Sequence, residues 1–144
     1  MEKRIGSIEE LALEAEHFIQ TLTPGERATL VTLSGELGAG KTTFTQAIAK
    51  ALGVTESVTS PTFVLEKIYA LPPATAFEKL VHIDAYRLKG GSELAALGFD
   101  EIMGDTKNLV VLEWPERVAD MLPLPTHTIT LTPEADGSRT LVYG

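Results

Sequence analysis

Residues 35–42 read Gly35-Glu36-Leu37-Gly38-Ala39-Gly40-Lys41-Thr42, and they join two stretches of opposite character. Before them lies Ala28-Thr29-Leu30-Val31-Thr32-Leu33, short, apolar and rich in β-formers, which suits a strand buried inside a sheet. After them, residues 43–52 place Phe44, Ala47, Ile48 and Ala51 on one helical face, and Gly53 follows as a stop signal. Strand, glycine-rich loop and helix in that order make a phosphate-binding loop. Gly35, Gly38 and Gly40 permit backbone conformations and close approach that side chains would block, so that successive amides face phosphate oxygens. Lys41 supplies an ammonium for the β and γ phosphates, Thr42 a hydroxyl for Mg²⁺, and the helix its positive amino end. The residues of the nucleotide contact are therefore expected to be Gly35, Glu36, Leu37, Gly38, Ala39, Gly40, Lys41, Thr42 and Thr43.

Working outward, 144 residues suffice for one ordinary domain and are too few for two, so 1–144 is read as a single P-loop ATPase domain. The expected fold is α/β, a three-layer α/β/α arrangement with a mostly parallel central sheet and antiparallel hairpins. Ser7-Ile8-Glu9-Glu10 reads as a capping box that opens a helix, with Glu10 reaching back to the cap amide. Leu11, Leu13, Ala15, Phe18, Ile19 and Leu22 continue it to Thr23-Pro24-Gly25. Residues 62–69 and Leu80-Val81-His82-Ile83 read as a hairpin of strands, and residues 92–97 as a short helix. Leu109-Val110-Val111-Leu112 reads as another buried strand. Residues 127–131 and 140–143, parted by Asp136-Gly137, read as a closing hairpin.

Composition narrows the function. No apolar run approaches the roughly 20 residues of a membrane span. The stretch after Met1-Glu2-Lys3-Arg4 is amphipathic and acidic, unlike a signal peptide, so the expected compartment is the cytoplasm. Without cysteine there is no thiolate chemistry. A net charge of −8 and the absence of any basic, aromatic-rich cluster argue against strong direct binding of tRNA or other nucleic acid.

Hydrolysis also needs a carboxylate for Mg²⁺ and a group to orient the attacking oxygen. Two acids compete. Glu113 ends the run 109–112, where the acid of a parallel strand's carboxyl edge belongs, and Asp84 ends the run 81–83. Both have plainer readings, Asp84 as a cap and Glu113 as a solvated strand-end acid, and the pattern leaves their roles open. Ser60-Pro61-Thr62-Phe63 follows the loop helix, where a hydroxyl can sense the γ-phosphate, or where proline simply starts a strand. His82 reads as a packing or hydrogen-bonding residue.

Taken together, the loop 35–44, Ser60-Pro61-Thr62-Phe63, His82-Ile83-Asp84-Ala85-Tyr86-Arg87 and Glu113-Trp114-Pro115 resemble, in order and spacing, the TsaE (YjeE) family. These are small bacterial ATPases needed for the threonylcarbamoyladenosine modification of tRNAs that read codons beginning with A, at the adenosine next to the anticodon. The resemblance implies an accessory protein that binds and hydrolyses ATP with Mg²⁺ while docked on TsaD-like and TsaB-like proteins, and that leaves the transfer step to them. It implies Thr42 and Glu113 as Mg²⁺ positions and Asp84 as the Walker B-like acid, also beside the metal. Residues 60–63, with Thr62, become the switch, and Lys41, Asp84, Glu113 and Thr62 the catalytic set. It also implies an adenine held between the first helix region and the closing hairpin, near Ser7 and Gly137. Relatives carry arginine directly after that glycine, where this chain has Ser138 and then Arg139.

Two other readings compete. A small-metabolite P-loop kinase would need an arginine-rich lid, and between Gly53 and Leu109 the cations are only Lys67, Lys79, Arg87, Lys89 and Lys107. A pure ATP/ADP switch without hydrolysis has no need of both Asp84 and Glu113.

Overall fold

Val31, Leu33, Leu109, Val111, Ile129 and Leu131 join one hydrophobic cluster, while Leu30, Val110, Leu112, Val81 and Ile83 join a second. Alternate residues of the same strands thus feed opposite faces, as the two-residue period of a strand requires. A sheet apolar on both faces must be covered on both, which makes three layers. The computed structural model describes residues 1–56 and 66–144.

Among the described residues the strands are β1 (Glu2–Ile5), β2 (Thr29–Ser34), β3 (Glu66–Ala70), β4 (Lys79–Asp84), β5 (Asn108–Glu113), β6 (His127–Pro133) and β7 (Arg139–Tyr143). They form one sheet in the order β1-β7-β6-β2-β5-β4-β3. The four central strands β6, β2, β5 and β4 run parallel, and β1, β7 and β3 pair antiparallel at the margins. The expected α/β fold with a parallel centre and two antiparallel hairpins is what the chain adopts.

On one face lie α1 (Ile8–Gln20) and α2 (Lys41–Ala51), burying Leu11, Ala15 and Phe18 against Phe44, Ile48 and the sheet. On the other, α3 (Gly91–Ala96), α4 (Phe99–Gly104) and the 3-10 turn Pro115–Val118 bury Leu94, Phe99, Met103 and Val118. Ser7 caps α1 as expected, its hydroxyl accepting from Glu10 N at 3.1 Å. The Glu10 carboxylate, however, takes the Gly6 amide at 2.9 Å instead of that of the cap, one residue further back. Helix α2 begins at Lys41, two residues before the expected start, because Gly40 in the left-handed region turns the chain into the helix there. Neither β1 nor α4 was legible in advance. No helix among the described residues is long and apolar enough to cross a membrane.

Candidate functional site

The parallel registers fix where the site must be. Leu33 of β2 and Asp84 of β4 both stand opposite Glu113 of β5, so three strands end level at their carboxyl edge. That edge is where open α/β sheets hold ligands. The loop 35–40 leaves β2 at this edge and delivers the amino end of α2 to it.

Two glycines of the loop are required for distinct reasons. A Cβ on Gly35 would lie 2.5 Å from the Leu131 carbonyl, so the loop passes too close to β6 for any side chain. Gly40 has φ of +101°, and a Cβ there would lie 2.6 Å from Nε of Arg139. Ala39 N–H closes the loop onto Glu36 O at 3.0 Å, while the first amides of α2 have no partner within the helix, as at any helix amino end. Leu37 is 74% exposed, so any contact it makes with a loop-bound anion runs through its backbone. The Lys41 ammonium donates to Gly35 O at 2.6 Å and Glu36 O at 2.9 Å, and its nitrogen lies 4.1 Å from the centre of the Trp114 ring. Burial pushes its pKa down, opposed by the negative charges of Glu113, Glu116 and Asp84.

Thr42 and Glu113 meet. The Thr42 hydroxyl lies 3.1 and 3.3 Å from the two Glu113 carboxylate oxygens. Glu113 is only 2% exposed, which removes the reading of it as a solvated strand-end acid. Its second partner is His82, fully buried on β4, with Nε2 at 2.5 Å from Oε2. Where the carboxylate is ionised it only accepts, and Nε2 then carries the proton of this bond. Nδ1 of the same ring has no hydrogen-bond partner among the described residues. Asp84, half-buried at the end of β4, accepts the Tyr86 amide at 3.0 Å in a local turn. Its pKa is raised, first by burial and then by Glu113, against the pull of that amide, His82 and Lys41. A hydroxyl and a carboxylate side by side at a helix amino end form a hard-oxygen donor pair, the kind Mg²⁺ takes, so the residues fit that ion.

The match to known proteins follows this geometry. The family model described as threonylcarbamoyl adenosine biosynthesis protein TsaE matches residues 5–141. The chain belongs to the TsaE family. Among its relatives, the tRNA threonylcarbamoyladenosine biosynthesis protein TsaE of Treponema pallidum is 41% identical over 114 residues, 79% of this chain and 80% of that one. The Streptomyces coelicolor protein of the same description is 49% identical over 88 residues, 60% of this chain and 57% of its own length. The crystal structure of Bacillus subtilis YdiB superposes with a TM-score of 0.78 at 29% identity, covering 99% of this chain and 83% of that one. TsaE membership places the chain in tRNA threonylcarbamoyladenosine biosynthesis.

Within this TsaE chain, the edge brings together Lys41, Thr42, Glu113 and Asp84. Thr62 and the rest of residues 60–63 lie outside the described residues. Gly137, with φ of +89°, occupies the β6–β7 turn with open space around its Cα. The residue the closing hairpin delivers to the loop is Arg139, against Gly40, with no carboxylate at ion-pairing distance among the described residues. Leu11 faces the core. Sequence reasoning gave no role to Arg139 or to the Lys41–Trp114 contact, and left His82 generic. The available signal for His82 was a histidine inside an otherwise apolar strand, since a buried ring nitrogen calls for a partner.

Proposed function

We propose that this chain is an accessory ATPase of tRNA threonylcarbamoyladenosine formation, binding ATP with Mg²⁺ and hydrolysing it on a complex of TsaD-like and TsaB-like proteins. The observation that carries the reading is the Thr42 hydroxyl held against the buried Glu113 carboxylate, one residue beyond a lysine whose ammonium already reaches the glycine loop.

In this reading the loop amides and Lys41 bind the triphosphate, and Arg139 adds a second cation beside Gly40. Thr42 and Glu113 hold the metal, and His82 fixes the Glu113 carboxylate by its buried hydrogen bond. Asp84, level with Glu113 and of raised pKa, is the acid placed beside them. Thr62 senses the γ-phosphate. Mg²⁺ bound there supplies neutralisation of phosphate charge. Gly137 and the turn around it lie towards the base. The compartment proposed is the cytoplasm, where tRNA is modified.

Calorimetry with ATP, beside phosphate release with and without Mg²⁺, tests this. Lys41→Ala loses a charge-assisted contact and should bind ATP at least about tenfold more weakly. Unchanged binding in that variant, or formation of a phosphorylated metabolite in place of free phosphate, sinks the reading.

A further inference from the structure

An ammonium has three N–H donors and no more. At Lys41 two are directed to Gly35 O and Glu36 O, and the nitrogen lies against the face of the Trp114 indole. The protein itself therefore takes two donors of the side chain that a phosphate most needs and covers its nitrogen with an aromatic face. The two carbonyls belong to the loop, fixed between β2 and α2, and are compatible with an anion on the far side of the nitrogen. The indole is the contact that can yield.

We propose that Trp114 holds the place of a phosphate: its ring covers the Lys41 ammonium, and nucleotide binding exchanges indole for phosphate. This inference rests on the ATP reading above.

Three features of Trp114 support an exchange over a fixed lid. Its backbone has φ of +61°, the single non-glycine positive φ among the described residues, and a bulky side chain is disfavoured there. Its amide is tied to Leu33 O at 3.2 Å, at the end of β2 from which the loop departs, so the ring is aimed from the loop's own root. Its other neighbour is yielding, because the Tyr86 ring, 4.9 Å away, is 40% exposed and itself lies under the Arg117 guanidinium at 5.2 Å. A ring that leaves Lys41 moves within this row, and nucleotide occupancy is carried to the exposed Tyr86–Arg117 pair beside the 3-10 turn.

Trp114 is the chain's single tryptophan, so emission excited beyond the absorption of tyrosine reports on this ring alone. The wild-type protein is titrated with MgATP while emission, acrylamide quenching and calorimetric heat are followed together. The expected result is a change in emission and a rise in quenching that saturate with the heat. Heat of binding with unchanged emission, or with reduced quenching as from a base stacked on the ring, overturns the exchange and leaves the ATP reading standing. No heat at all overturns both. Trp114→Leu, checked for folding by circular dichroism, removes a competitor for Lys41 and should tighten ATP binding about 2- to 30-fold. Equal or weaker binding in a folded Trp114→Leu protein shows that the indole does not compete with the nucleotide and also overturns the proposal.

Discussion

Glu113→Ala tests the centre of the site most directly, and the structure supplies the magnitude. The carboxylate is buried and accepts from His82 Nε2 at 2.5 Å, and the His82 ring is fully buried with nothing on its other nitrogen among the described residues. Removing Glu113 thus leaves a buried ring N–H without a partner among the described residues, which is the costly half of breaking a buried polar pair. The expected loss is about 1–3 kcal/mol. In a chain of this size each kcal/mol shifts Tm by about 2–4 °C, so the fall is about 2–12 °C.

Glu113→Gln separates the structural part of that loss from the chemical one. The amide oxygen occupies the place of Oε2 and still accepts from His82, now as a neutral bond, at a cost of about 1 kcal/mol. Thermal denaturation by circular dichroism should therefore rank wild type, then Gln close below, then Ala lowest, while Mg²⁺-dependent phosphate release is low in both variants. If Ala melts no lower than Gln, the His82 bond does not hold the carboxylate and the account of its orientation is wrong.

Gly40→Ala meets two obstacles at once, a φ of +101° and the Arg139 Nε at 2.6 Å from the new methyl. A loss of about 1–2 kcal/mol from the backbone is expected, with weaker ATP binding by calorimetry because Arg139 is pushed from the loop; unchanged melting and binding would contradict both. Asp136 is held at about 2, below its ordinary 3.8, by the Ser138 hydroxyl and amide first and then by Arg4. A carboxyl depressed in the folded state stabilises fully above its ordinary value, and that contribution disappears as pH falls through about 2. Ser138→Ala should move the Asp136 titration, followed by NMR, up towards 3.8, and an unmoved titration would assign the shift to the backbone amide of residue 138 and Arg4 instead of the hydroxyl.

The elements that were legible are those whose residues carry their own signal. Strands β2 and β5 are buried on both faces and therefore read as continuous apolar runs, and α1 buries Leu11, Ala15 and Phe18 at helical spacing behind a capping serine. Strand β1 carries no such signal. Three of its four residues are exposed and charged, and it is a strand only because β7 offers it an edge from the far end of the chain. Helix α4 is six residues that start after Gly98 and end on Gly104, with Phe99 and Met103 as its buried pair, too short for a period to show. At the site the motifs named Lys41, Thr42, Asp84 and Glu113, but not who holds them. His82 reaches Glu113 across neighbouring strands, and Arg139 reaches Gly40 from the closing hairpin; both depend on sheet order, which no local pattern encodes.

Sheet order also explains why the site is built from distant residues at all. Because β2, β5 and β4 run parallel and adjacent, their ends carry the loop, Glu113 and Asp84 to one level, and Glu113 is held from the strand beside it by His82. A parallel centre leaves its outer strands to be completed by hairpins, and on the β6 side that hairpin brings Arg139 back over the loop's final glycine. The antiparallel margin is therefore part of the proposed anion site: shortening β7 at Arg139 would spare every residue of the phosphate-loop motif and still remove one of the cations, Lys41 and Arg139, that border the loop among the described residues.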